Sequence, residues 1–355
     1  MTTLLRKALE QSSITYKFRS FKMKKQLLIA AVAATMTSAA MADISISGDA
    51  KFEYQNVEAT GSANTNKTNT EVNLKLRGKS GDTTVVMDIA ANGAVSAANG
   101  SGLVVEDQYL TTKVGDVSVK AGNYASGTSG ILGEIDNGGR SHGKVTLSTT
   151  LGGANVYVGN NGVADSAAST DFTTIDNTMF AGVSMDVAGM TVQAKKNSST
   201  VNSFAIAGEM SGVALRLEQK QNDAANSDVT FGNVTTDVNG ISLGYAWIDA
   251  DGANLVTEND SAIFAVEMGA LASSITTEDG QSQITAATSV AGNKVTVKSG
   301  TIDNGIAAGT DLDYMQVSAS RALASGATAT VTYTDKDTGA ATDSQTFEAE
   351  LSVKF

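Results

Sequence analysis

The chain has 355 residues, a formal charge of −12, no Cys and no Pro. Without Cys it has no disulfide framework, thiolate metal site or thiol nucleophile. Hydrophobic residues make up 41%, too few for a helical membrane protein of this size, and the acidic balance repels nucleic acid and favours cations.

The amino end carries an export pattern. Lys24 and Lys25 form a basic region, Leu27 to Ala34 a short apolar run, and Ala40-Met41-Ala42 a small-residue cleavage site. The run is too short to span a membrane as a helix. Met23 is the natural first residue of such a signal. Residues 1–22 then read as an upstream extension from a misplaced start, or else as a longer basic region of the same signal. Residues 23–42 are the expected signal peptide and residues 43–355 the expected mature domain. Residues 1–42 hold seven of the 25 basic residues and one of the 37 acids, so the remainder carries a formal −18.

From Asp43 onward the dominant period is two. Ile44, Ile46, Gly48, Ala50, Phe52 and Tyr54 alternate with Ser45, Ser47, Asp49, Lys51 and Glu53. The pattern returns at Val72, Leu74 and Leu76 against Asn73, Lys75 and Arg77, and at Val85, Met87 and Ile89 against Thr84 and Asp88. Such strands have one apolar and one polar face, with water on one side only.

Short turns join the strands in pairs. They fall at Lys79-Ser80-Gly81-Asp82, Val114-Gly115-Asp116, Leu151-Gly152-Gly153 and Val187-Ala188-Gly189. Later turns fall at Met210-Ser211-Gly212, Val238-Asn239-Gly240, Ala291-Gly292-Asn293 and Ala324-Ser325-Gly326. Longer polar segments separate the pairs, such as Ala59 to Asn69, Asn160 to Thr170 and Lys336 to Asp343. Short turns alternating with long loops predict an all-β, antiparallel up-and-down transmembrane β-barrel. Counting alternating segments gives about twenty, including a pair around Gly269 and a brief strand from Val117 to Gly122; the expected number is even, between 16 and 20. The competing soluble reading, a solenoid, would need a fixed repeat of about 20–25 residues, and none is found.

The last segment runs from Ser344 to Phe355. Phe347, Ala349, Leu351, Val353 and Phe355 share one face. Ending on Phe, with apolar residues two and four before it and an aromatic eight before it, the strand resembles the signal read by the outer-membrane barrel-assembly machinery. Phe347, Leu351, Val353 and Phe355 carry that resemblance. Closing the barrel pairs this strand with Ile44 to Tyr54 and removes both edges.

Together these features resemble the Gram-negative general porins across nearly the whole mature chain. Asp43 to Ala50 is similar to their first strand, Tyr109 to Gly122 to the hairpin before their inward loop, and Ser141 to Tyr157 to the hairpin after it. The resemblance implies an outer-membrane location, a homotrimer, lipid and lipopolysaccharide as surroundings, and passive diffusion of small hydrophilic solutes and ions. It implies no catalysis and no cofactor. It also implies a third loop folded into the barrel, here Asn123 to Arg140, where Glu134 and Asp136 form the acidic side of a constriction. The familiar Pro-Glu-Phe element of that loop is missing. The alternation puts Lys51, Lys75, Arg77, Lys120, Arg216 and Lys298 on the polar face, as the basic wall opposite those acids.

Three other readings remain at this point. A structural or adhesive barrel with a plugged lumen fits the same strands. A barrel enzyme would have to be built around His142, the only His, which reads better as a rim residue. The acid-rich stretches Asp249-Ala250-Asp251-Gly252 and Thr334-Asp335-Lys336-Asp337 read as solvated loops, or as Ca²⁺ or Mg²⁺ sites beside lipopolysaccharide.

Overall fold

Alternating faces and Gly turns build an up-and-down sheet, and the sheet closes. The computed structural model describes residues 43–92, 103–125, 131–132, 140–160, 162–164, 179–197, 200–223, 227–251, 263–266, 279–307, 310–338 and 343–355. Residues 1–42, with the expected signal peptide, lie outside the described residues, as do Glu134 and Asp136.

The strands in chain order are β1 (Asp43–Ala59), β2 (Thr65–Ser80), β3 (Thr83–Asn92), β4 (Leu103–Val114), β5 (Val117–Ala125), β6 (Arg140–Leu151), β7 (Ala154–Asn160) and β8 (Val163–Ala164). There follow β9 (Met179–Val187), β10 (Met190–Asn197), β11 (Val201–Met210), β12 (Val213–Asn222), β13 (Ser227–Val238) and β14 (Ile241–Asp251). The last are β15 (Asp279–Val290), β16 (Asn293–Ala307), β17 (Thr310–Ala322), β18 (Ala327–Asp337) and β19 (Ser344–Lys354). Every pairing is antiparallel between neighbours, β7 pairs with β9, and β1 pairs with both β2 and β19. The two-residue β8 only touches β6, so the closed ring has eighteen strands.

All eight expected turns lie between paired strands. The brief strand at Val117 is real and is β5. The pair counted around Gly269 does not join the ring, because β14 pairs directly with β15. That difference turns about twenty into eighteen. All three expected loops run into strands: Ala59 closes β1 and Thr65 to Asn69 belong to β2, Asn160 closes β7, and Lys336 and Asp337 close β18.

Four turns put a residue with a side chain in the left-handed region: Ala188, Ser211, Asn239 and Ala291, each followed by Gly. Two left-handed residues in a row twist the chain as a two-residue hairpin requires. Asn tolerates this φ and Ala does not. Ala291→Asn should therefore stabilise the barrel by about 0.5–1 kcal/mol, read as a higher urea midpoint in reversible vesicle unfolding. An unchanged or lower midpoint contradicts it.

Directly opposed residues of antiparallel strands share a face, so the register assigns every side chain to the outside or the lumen. Ile46, Leu76 and Met87 fall in one outward row, as do Phe52 and Leu351. The outward face is apolar and exposed, including Ile44, Ile46, Val114, Leu151, Phe204, Ile284, Phe347 and Leu351. Several outward or inward aromatic rings lie over a glycine on the next strand: Trp247 over Gly232, Tyr314 over Gly300, and Phe355 over Gly48. At the closing seam Gly48 and Phe355 exchange two backbone hydrogen bonds, of 2.8 and 3.0 Å. The ring of Phe355 occupies the space that a Gly48 side chain would need.

Candidate functional site

All six expected wall cations lie on the inner face by register. Lys51 stands opposite Glu71, with Nζ to Oε2 at 3.1 Å, and also reaches Glu53 at 3.9 Å. Lys75 stands opposite Asp88 at 3.2 Å. Arg216 pairs with Glu218 on its own strand, and the Glu218 side chain is fully buried. Lys120 sits between two rings, 4.1 Å from the centroid of Tyr109 and 4.0 Å from that of Tyr124. Arg77 is exposed near the turn end of β2. Lys298 donates to the Ile263 carbonyl at 2.7 Å. The six cations therefore share the inner face, and Lys51, Lys75 and Arg216 are paired there with acids.

Sequence reasoning did not single out the acids of the seam. Glu53 on β1 is directly opposite Glu350 on β19, Gln55 is opposite Glu348, and Glu71 lies on β2. Glu53, Glu71, Glu348 and Glu350 thus share the inner wall of three adjacent strands with Lys51, and the same wall carries Asp49, Lys75 and Arg77. Their alternation was legible, but the Glu53–Glu350 pairing exists only once the last strand meets the first. Nine strands away in either direction round the ring lies β11. Its neighbours β10 and β12 carry Lys195, Arg216 and Lys220 on the inner face. Lys120 and Lys144 extend this basic sector along β5 and β6. Both walls carry both signs: Lys75 and Arg77 stand on β2 beside the seam acids, and Glu209 and Glu218 stand on β11 and β12 among the opposite cations.

Two loop segments lie against the inner wall. Ile131 and Leu132 belong to the third long loop, as expected. The Ile131 N–H donates to Gln193 Oε1 at 2.8 Å, and Arg216 donates to the Ile131 carbonyl at 3.0 Å. Gln193 in turn donates to the Tyr157 hydroxyl at 2.9 Å. Leu132 is fully buried.

The second segment, Ile263 to Val266 between β14 and β15, was not foreseen. Its backbone is held by two buried amides. Gln283 accepts from Ala265 N–H at 2.7 Å and donates to the Ile263 carbonyl at 2.8 Å. Gln281 donates to the Val266 carbonyl at 2.7 Å and to the Tyr314 hydroxyl at 3.0 Å. Phe264 and Val266 pack on inward Val229, Phe231, Ile248, Ile302 and Tyr314. The sequence signal for this was the unbroken run Tyr245-Ala246-Trp247-Ile248, where alternation fails. Tyr245 and Trp247 face outward and stack at 5.5 Å, while Ala246 and Ile248 face the segment.

The stretches read as acid-rich loops belong to strands. Asp249 lies in β14, and Asp335 and Asp337 lie in β18, all with outward register. No group of three potential metal-ligating side chains occurs among the described residues. The backbone of His142 pairs β6 with β8 at Val163.

No known family model matches the chain, and no curated protein matches it. Solved structures do. OccK8 (OprE) of Pseudomonas aeruginosa is similar at a TM-score of 0.60 and 12% identity, covering 88% of this chain and 98% of its own. The outer membrane protein OpdK of Pseudomonas aeruginosa is similar at 0.58 and 10%, over 88% and 98%. OccAB4 of Acinetobacter baumannii is similar at 0.58 and 9%, over 87% and 98%. This is an outer-membrane barrel fold. In such a barrel the apolar outer band faces lipid, and the ring of polar and charged side chains faces a lumen. Trp247, Tyr245, Phe204, Tyr333 and Phe347 are all on the lipid side by register.

Proposed function

We propose that the chain is an outer-membrane porin through which small hydrophilic solutes and ions diffuse down their own gradients, with a preference for cations. The observation that carries the reading is a closed ring whose inner wall is lined with charged side chains, Glu53, Glu71, Glu348, Glu350, Lys51 and Lys75 around the seam and Lys195, Arg216, Glu218 and Lys220 across from it. A charged inner wall of this kind favours polar solutes and disfavours apolar ones. Glu134 and Asp136, on the third loop, add to the acidic side in this reading, and the net negative charge of the chain biases it toward cations. Homotrimer assembly, and recognition of the Phe355 end by the barrel-assembly machinery, belong to the same reading.

Planar bilayers test it. Wild type should give discrete conductance steps and a cation-selective reversal potential. Removing charge from a wall costs a passing ion on the order of 1 kcal/mol, so Glu53→Gln with Glu350→Gln should lower the cation-to-anion ratio about two- to fivefold. Glu134→Gln with Asp136→Asn should act in the same direction. Unchanged reversal potentials for both pairs would remove the cation preference. Silence of the folded wild type would favour a barrel with a plugged lumen.

One observation favours a second solute class. OpdK has been solved with vanillate, an aromatic carboxylate. Lys120 between Tyr109 and Tyr124 offers charge and ring faces together. Competition of vanillate with salt current, lost in Lys120→Gln, would support small organic anions as cargo along the basic wall.

A further inference from the structure

Lys298 stands apart from the other inner-wall cations. Lys51, Lys75 and Arg216 face acids and Lys120 faces two rings, whereas the partner of Lys298 is a main-chain carbonyl, that of Ile263, at 2.7 Å. No acid pairs with Lys298 among the described residues. Its inward row runs through Thr285 on one side and through Gln316, Thr334 and Thr346 on the other, all uncharged. Where the ladders of β15 to β18 are regular, the acid among their inward positions is Asp279, at the loop end of β15 and about 20 Å along the strand from Thr285.

The hold of Lys298 on Ile263 is redundant. The same carbonyl accepts from Gln283 Nε2 at 2.8 Å. A carbonyl oxygen has two lone pairs, so departure of Lys298 leaves no orphaned acceptor. The ammonium has three donors, and Ile263 takes one. A carboxylate offers that ammonium a full opposite charge, where the carbonyl offers only a dipole. Thr285 accepts from Gln283 at 3.1 Å, which leaves its own O–H to donate.

We infer that Lys298 is a binding site for the carboxylate of a small solute, and that the solute's arrival loosens the inward segment Ile263 to Val266. The carboxylate meets the ammonium, with the Thr285 hydroxyl and the Gln316 amide on either side of it in the same row. The lysine side chain swings from the Ile263 carbonyl into the lumen. The segment then keeps only the hold of Gln281 and Gln283 and its apolar contacts. One positive charge suits a singly charged anion, since Lys294, the next inward cation of β16, is about 13 Å along the strand. The inference rests on the porin reading for a lumen that solutes enter.

Thiol labelling in detergent tests the site. The chain has no Cys, so Val266→Cys puts a single thiol on the segment, where the native side chain is buried. The reagent is a neutral maleimide, in sodium acetate or in sodium chloride at equal ionic strength. Acetate should raise the labelling rate about tenfold, as loss of a hydrogen bond from a charged group would. With Lys298→Met added, labelling should be fast in both salts. Equal rates in the two salts overturn the inference, as does an acetate effect that survives Lys298→Met, or slow labelling of the Lys298→Met protein. Phe264→Cys repeats the measurement at a second buried position of the segment, and folding of each variant is read from the shift between unboiled and boiled bands. Bilayer steps from wild type without an acetate effect would sink this site and leave the porin reading standing. An acetate effect in a protein silent in bilayers would support the site and count against the porin reading.

Discussion

Gly48→Val should leave the barrel unable to close. The expected result is loss of the compact unboiled band and of protease resistance, in a chain that is still made. A Cβ at Gly48 would lie 3.0 Å from Phe355 Cζ and 3.2 Å from Cε2, and harder still against the Asn73 carbonyl on the other side. The backbone of β2 cannot give way, and the ring can leave only by abandoning the outward face. Overpacking alone costs about 1–3 kcal/mol. Here it falls on the last rung of the seam, where Gly48 and Phe355 exchange both of their hydrogen bonds. If that rung opens, strand edges face lipid, and each unpaired backbone group there costs several kcal/mol, on the order of 4. Gly244→Val is the control, since its nearest neighbours would stand 3.4 and 3.7 Å away, in ordinary contact. That variant should fold. A Gly48→Val protein that migrates like wild type would sink the argument.

Replacing Gln281 and Gln283 together with Leu should free the Ile263 to Val266 segment and raise single-channel conductance. The two amides hold the Ala265 N–H and the Val266 carbonyl, which have no strand partner inside the barrel. Leaving both unpaired costs about 1–3 kcal/mol each. The apolar contacts of Phe264 and Val266 oppose release, as does Lys298 on the Ile263 carbonyl. Release should therefore be partial, seen as flicker between two levels, and adding Lys298→Met should lengthen the open level. The ring ladders do not depend on these side chains, so the unboiled band should stay compact. A folded double variant with wild-type conductance and no flicker would mean that the segment does not narrow the path.

Much of this protein can be read in one dimension. Alternation from Asp43 to Tyr54 fixes a two-faced strand, because successive side chains must point to opposite sides of a pleated chain. Glycine at the eight turns fixes where the strands reverse, because few other residues accept the left-handed φ that tight hairpins use. The Phe347, Leu351, Val353, Phe355 stripe fixes the lipid side of the last strand. These are local rules, so the barrel class, the turns and the inward direction of Lys51, Lys75, Arg77, Lys120, Arg216 and Lys298 all follow from residue order.

What the residue order left open depends on closure and on long-range packing. The strand number fell to eighteen because β14 pairs with β15 across the Gly269 segment, and pairing is chosen by neighbours rather than by propensity. The Glu53–Glu350 pair joins residues from the two ends of the domain, and only a closed ring brings them face to face. The same closure sets that acidic seam opposite the β10–β12 cations. The inward Ile263 to Val266 segment needed a wall already apolar at Phe231 and Ile248 to receive it. The final strand shows both levels at once: its stripe and terminal Phe are written locally, while the glycine that receives the ring of Phe355 is Gly48, at the far end of the barrel sequence.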